Sequence, residues 1–409
     1  MGSKRVPEVR FEGFRDEWIA YKLGEKAEIL TGGTPRTQIR EYWEPKEVPW
    51  MSSGEINKKR ILYTDNKISK LGLNNSSARW ISENSVLIAL AGQGKTRGTV
   101  AINLIPLTIN QSIAAIIPKG ELYYEFIYQN LAKRYEELRI ISSGDGTRGG
   151  LNKQIISEIE IVAPSFNEQI KIGNLVKQLD ETIAFQQQEI DTLRQTKQGF
   201  LQKMFPKEGE SIPEIRFSGF SGEWEETKLS EMVEIFGGGT PSTNVPEYWD
   251  GDINWYSPAE IGNEIYVSDS KRNITELGLK KSSAKILPAN KTILFTSRAG
   301  IGNMAILKKD GATNQGFQSL VVNDENDVYF LYSLGKKIKE YALKNASGST
   351  FLEISGKKLC KMELLIPQLN ERIKLGNFFK QLDETIVLHE KELDILQKTK
   401  KAFLQKMFV

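Results

Sequence analysis

The chain repeats itself, and that constrains its fold more than any motif it contains. PEVRFEGFRDEW, Pro7 to Trp18, returns as PEIRFSGFSGEW, Pro213 to Trp224. Gly33-Thr34-Pro35 returns as Gly239-Thr240-Pro241, and Tyr42-Trp43 as Tyr248-Trp249. Leu71-Gly72-Leu73, Ser76-Ser77-Ala78 and Asn110-Gln111 return as Leu277-Gly278-Leu279, Ser282-Ser283-Ala284 and Asn314-Gln315. NEQIKIGNLVKQLDETI, from Asn167, becomes NERIKLGNFFKQLDETI, from Asn370, and FLQKMF follows at Phe200 and at Phe403. The displacement changes by only three residues between the first match and the last. The chain is a tandem duplication.

Each half has two textures. The first part is rich in Gly, Pro, Ser and Asn, with short β-branched runs between them. ENSVLIALAG, GTVAINLI, SIAAIIP and IEIVAP read as buried strands, and TILFTS, NMAIL and QSLVV repeat the pattern. A helix is expected over Tyr123 to Arg139, answered by Tyr329 to Leu343. The second part is a long helix whose apolar positions alternate in fours and threes. These are Ile172, Val176, Leu179, Ile183, Ile190, Leu193, Phe200 and Met204 in one half. The other half gives Leu375, Phe379, Leu382, Ile386, Leu393, Leu396, Phe403 and Met407. Such spacing predicts a coiled-coil seam, and with one seam per helix the economical partner is the other helix. Gln186 and Lys197 interrupt the first seam; His389 and Lys400 interrupt the second. Buried polar residues at such points fix register and orientation. The expected fold is α+β: a duplicated mixed α/β domain followed by a long helix, the two helices pairing as an antiparallel coiled coil. The boundaries expected are 1–165, 166–206, 207–368 and 369–409. A helix from Gln169 to Met204 spans roughly 54 Å, a ruler with a globular head at each end.

Composition removes several chemistries. Cys360 and His389 are the only residues of their kinds, which excludes a disulfide framework, a thiolate zinc site and a histidine-based triad. A net charge of +3 argues nothing about partners unless Lys and Arg cluster on one face. No apolar run reaches transmembrane length and the N-terminus lacks a signal-peptide core, so a cytoplasmic protein without membrane contact is expected. Nor is there a cofactor-binding GxGxxG after a strand, an adenine pocket of the Asn-Pro-Pro-Tyr type, or a nuclease carboxylate cluster. Gly94-Lys95-Thr96 looks like the tail of a phosphate-binding loop, but Ala89 stands where that motif needs glycine. TRGTVAINLI also leads into a strand rather than a helix. Aligning Leu87-Ile88 with Ile293-Leu294 sets this loop opposite Thr296 to Gly300, where the Lys-Thr pair is not shared.

The repeated GFxxEW segment, the GGTP loop, TSRAGIGNMAI and TRGTVAI, and the QLDETI helices ending in QKMF resemble the specificity subunit of type I restriction-modification systems. The resemblance covers both halves in the family's order. It implies a non-catalytic, DNA-reading subunit with two target-recognition domains, each reading one half of a bipartite double-stranded site. Its helices would separate the domains and dock two methyltransferase subunits, with restriction-translocase subunits joining for cleavage. AdoMet, ATP and Mg2+ would then sit on those partners and no cofactor on this chain. The candidate DNA contacts are Lys95, Thr96 and Arg97 in one hairpin loop and Ser297 and Arg298 in the other. Arg148 in a glycine loop and Arg36, Thr34 and Thr240 in the GGTP loops complete the set; there, exposed amides and hydroxyls would suit phosphate oxygens. The GGTP loops read equally well as tight turns, and Arg148 as a contact to guanine or to phosphate. Trp43, Trp50, Trp249 and Trp255 read as packing anchors. Seam residues expected to pair the helices are Leu179, Ile183, Gln186, Ile190, Leu382, Ile386, His389 and Leu393. The rival readings are a nucleotide-dependent enzyme built on the Lys95 loop and a paired-domain scaffold that binds proteins or glycans without DNA.

Overall fold

Runs such as VLIAL contain no polar residue to mark an outer face, and strands of that kind need cover on both sides. The computed structural model, which describes residues 6–91, 96–141, 150–262, 264–298, 300–348 and 352–409, supplies that cover. It divides into two units, 1–187 with 391–409, and 188–390.

In the first unit a five-stranded sheet has the order Ala27–Thr31, Ile113–Pro118, Ser85–Ala89, Val100–Asn103, Arg60–Ile61. All neighbours are antiparallel except the last pair. Val86, Ile88, Ala114 and Ile116 pack on one face with the helix Tyr124–Lys133, whereas Leu87, Ala89, Ala101, Ile113 and Ala115 pack on the other. A smaller sheet runs Asn66–Ile68, Val48–Met51, Leu107–Ile109, Trp80–Ile81. A third ladder ties Ile19–Lys22 to Glu160–Ala163.

The second unit repeats this order as Val233–Gly237, Gln318–Val322, Thr292–Phe295, Met304–Leu307 and Tyr266–Val267. Its smaller sheet keeps three strands, Arg272–Ile274, Trp249–Tyr256 and Gly311–Thr313, with a single bridge from Leu287 to Gly311 in place of the fourth. Glu225–Lys228 pairs with Glu363–Ile366.

Two expectations change. The helix expected over Tyr123 to Arg139 is broken at Arg134 into Tyr124–Lys133 and Tyr135–Ile141, and its counterpart at Leu334 into Val328–Ser333 and Gly335–Asn345. The apolar periodicity runs through both breaks, so it carries no sign of them. The hairpin register also moves by one residue. Leu87 pairs with Ala101, and it is Leu294 that pairs with Ala305, so Leu87 corresponds to Leu294 and not to Ile293.

The long helices run Phe166–Lys203 and Leu369–Lys406. In the first unit Lys400 bonds to Asp180, and Gln186 Nε2 donates to Glu392 at 2.8 Å. In the second unit Lys197 Nζ donates to Asp383 at 2.6 Å and Arg194 to Glu390 at 2.6 Å. The helix segments inside each unit thus run in opposite directions. Of the seam residues, Gln186, Ile190 and Ile386 are buried; Leu179, Ile183, Leu382, His389 and Leu393 are half-buried. Among the described residues no helix is long and apolar enough to cross a membrane.

Candidate nucleic-acid interface

The GGTP loop leaves the first strand of the large sheet and passes against the small one. The approach is close enough to demand glycine: a Cβ on Gly32 would lie 1.7 Å from the Ile109 carbonyl oxygen, and one on Gly238 2.0 Å from that of Asn314. The Gly33 amide donates to Ile109 O at 2.9 Å and the Gly239 amide to Thr313 O at 2.8 Å. The indoles of Trp50 and Trp255 each donate to the carbonyl of that glycine at 2.9 Å. These second glycine amides are therefore spent inside the protein, which corrects the expectation of exposed amides there. What the loops expose is side-chain chemistry. Arg36 and Thr240 are exposed and Thr34 is half-buried.

The four tryptophans are packing anchors in edge-to-face pairs, Trp43 with Trp50 at 5.2 Å and Trp249 with Trp255 at 5.1 Å between ring centroids.

One residue in each unit gathers the remaining loops. Leu90 donates its amide to Ser112 O at 2.8 Å and accepts from Leu151 N at 3.1 Å. Ser297 does the same with Gly316 O at 2.8 Å and Ile354 N at 3.1 Å. Ser112 and Gly316 directly follow the glutamines of the repeated Asn-Gln pair. Leu151 and Ile354 lie just after the glycine- and serine-rich loops. The first residue of the hairpin tip, the end of the Asn-Gln turn and the residue Leu151 or Ile354 are in this way brought together in each unit.

The hairpin tips differ. Gly98 N donates to Ala89 O at 3.0 Å, and Gly302 N to Thr296 O at 2.9 Å, so the two glycines are equivalent and close tips of unequal length. The first tip is longer and carries Lys95, Thr96 and Arg97. Lys95 and Arg148 lie outside the described residues. Thr96 and Arg97 are half-buried, and Arg97 Nε is enclosed without a hydrogen-bond partner among the described residues. Arg298 is half-buried at the second tip, where Gly300 and Gly302 have φ of 109° and 90°. Ser297 is not exposed at all. It fills the place of Leu90, and its hydroxyl is buried without a partner among the described residues, so it packs inside the unit and offers no contact surface.

The Lys95 hairpin returns directly into the strand Val100–Asn103, not into a helix whose N-terminal amides could hold a nucleotide phosphate. The residues that the sequence reading passed over are Gln111 and Gln315. Thr34 Oγ1 donates to Gln111 Oε1 at 2.6 Å, and Thr240 makes the same bond to Gln315. Their repetition as Asn110-Gln111 and Asn314-Gln315 was visible; what they touch was not.

Comparison with known proteins agrees with this architecture. The family model described as the type I restriction modification DNA specificity domain matches residues 15–195 and again 221–398. The type I restriction enzyme MjaIX specificity subunit of Methanocaldococcus jannaschii is 38% identical over 191 residues, 46% of this chain and 44% of that protein. The chain thus spans less than half the length of that relative. The MjaVIII specificity subunit of the same organism is 23% identical over 428 residues, covering 99% of this chain and 93% of its own. The crystal structure of a type I restriction-modification system S subunit from M. genitalium superimposes with a TM-score of 0.65, over 99% of both chains at 18% identity, which shows a shared fold. With both halves matched over most of their length, the chain belongs to the family of type I restriction-modification DNA specificity proteins.

Proposed function

We propose that this chain is the DNA-reading subunit of a type I restriction-modification complex. Each unit reads one half of a bipartite double-stranded target, and the long helices pair as an antiparallel coiled coil that holds the two half-sites at a fixed spacing. Two adenine methyltransferase subunits dock on the parts the halves share, and restriction-translocase subunits complete the nuclease. AdoMet, ATP and Mg2+ act on those partners, and the complex works in the cytoplasm.

One observation carries the reading. Within each unit, the residues that flank segments differing between the halves, Leu90 and Leu151 in one and Ser297 and Ile354 in the other, are tied by the same backbone hydrogen bonds to a scaffold the halves share. A common scaffold suits a common task, and differing tips suit differing bases.

The test uses duplexes in which one half-site at a time is altered. Lys95→Ala and Arg148→Ala should weaken recognition of one half-site by about 1–3 kcal/mol if each loses a base contact, leaving the other unaffected. Equal loss on every duplex would reduce these residues to phosphate contacts. Absence of DNA binding by the assembled complex would remove the reading.

A further inference from the structure

We propose that Gln111 and Gln315 are a matched pair of phosphate clamps, one per unit, that hold DNA without regard to its sequence. The inference rests on the DNA-reading function above.

Each glutamine sits in a turn fixed at several points. The preceding asparagine donates its amide to the core, Asn110 to Met51 O at 3.1 Å and Asn314 to Tyr256 O at 3.0 Å. Its side-chain oxygen accepts from the amide two residues on, Ser112 N at 3.0 Å and Gly316 N at 2.8 Å. The glutamine between them is exposed in both units. Its Oε1 accepts from the threonine of the GGTP loop, and that loop is itself locked by glycine contacts and a tryptophan indole.

The bond settles what each glutamine offers. A hydroxyl has one proton, and here it is given to Oε1; the Nε2 group keeps two N–H donors, with no acceptor for them among the described residues. An exposed pair of donors held in place before the ligand arrives suits an anionic oxygen, and hydrogen bonds to charged groups are the stronger kind. Phosphate is the anion on the partner. Repetition decides between phosphate and base: the Thr-Gln pair is the same in both units while the tips beside it differ. A contact kept the same beside differing readers matches the part of the ligand that is the same in both half-sites, the backbone.

The test measures binding of the full chain, assembled with its methyltransferase partner, to labelled duplexes carrying the whole target, a target with one half-site altered, or neither. Gln111→Glu replaces the donors by a carboxylate and should weaken all three by about tenfold or more, with their ratios unchanged. Gln111→Ala should act in the same direction without adding charge, and Thr34→Val, which frees the amide to rotate, should do so more weakly. Gln315 variants should behave alike. Thermal unfolding of each variant alone separates loss of contact from loss of fold. A loss confined to duplexes with an intact half-site would make the glutamine a base reader and overturn the clamp. Unchanged affinity in a folded Gln111→Ala variant would overturn it too. Failure of the unaltered complex to bind any duplex would instead remove the DNA-reading function; a clamp that fails while that complex binds leaves the function standing.

Discussion

Leu90 and Ser297 hold equivalent places, yet one is apolar and the other carries a buried hydroxyl with no partner among the described residues. A buried unsatisfied hydroxyl costs about 1–3 kcal/mol. Ser297→Ala should therefore raise stability by about 1 kcal/mol and leave base preference unchanged. Leu90→Ser does the reverse, losing apolar burial and adding an unsatisfied group, and should cost about 3 kcal/mol. Urea or thermal unfolding beside half-site binding reads both effects; a changed base preference in Ser297→Ala would return Ser297 to the DNA surface. The equivalence was not legible in the sequence, for a physical reason. SVLIAL and TILFTS are strands buried on both faces, so alternation marks neither side, and a slip of one residue looks as good as the true register. Only the cross-strand partners, Ala101 for Leu87 and Ala305 for Leu294, fix it.

Among the elements, the long helices were the most legible because four-and-three spacing needs no knowledge of the partner. The lysines that break the spacing were visible as polar interruptions, but their purpose depends on the opposite helix. Lys400 meets Asp180, and Lys197 meets Asp383, the aspartates of the two QLDETI segments. Each aspartate also takes a bond from its own unit's globular part: Gln129 Nε2 donates to Asp180 at 2.9 Å, and Tyr329 OH to Asp383 at 2.7 Å. Burial, reinforced by Asp383, pushes the Tyr329 hydroxyl far above its usual range, so it stays a donor. The two sites differ in enclosure, with the Asp383 side chain 6% exposed and that of Asp180 23%. Removing one partner of a buried pair is costly because the other charge is left without compensation. Asp383→Ala should accordingly cost about 3 kcal/mol, and Asp180→Ala less, since water can replace part of what is lost. Equal losses in chemical unfolding would show that enclosure is not what separates them.

At the scale of the whole molecule, each globular part is held in a socket of the same design. Arg10 grips Glu168 through two bonds of 2.9 and 2.6 Å, and Arg216 grips Glu371 through two of 2.7 Å. Val9 N donates to Lys406 O at 3.0 Å, and Ile215 N to Lys203 O at 2.9 Å. Met407 and Phe408 enter the core of the first unit as Met204 and Phe205 enter that of the second. Lys133 caps Phe408 O at 3.4 Å, and Lys337 caps Pro206 O at 2.7 Å. The sockets differ in the helices as well as in the globular parts: Arg372, which donates to Asp327 at 2.7 Å, stands where the first helix has Gln169, and Phe379 stands where it has Val176. Arg60 and Glu125 pair with each other inside the first, while Tyr266 and Tyr329 are neighbours in the second. Replacing residues 7–163 by a second copy of 213–366, with Asp327→Asn in the incoming copy because Gln169 stands where Arg372 pairs with it, would keep the arginine grip, and Asp180 would exchange the Gln129 amide for the Tyr329 hydroxyl. The transplanted chain should fold, and it should specify a target whose two halves are both the element now read by the second unit. Mapping methylated adenines in cells carrying the transplanted gene beside the partner subunits would read that target directly. A folded, active transplant that still specified the original first half-site would place the reading residues outside the globular parts, in the helices the transplant left untouched.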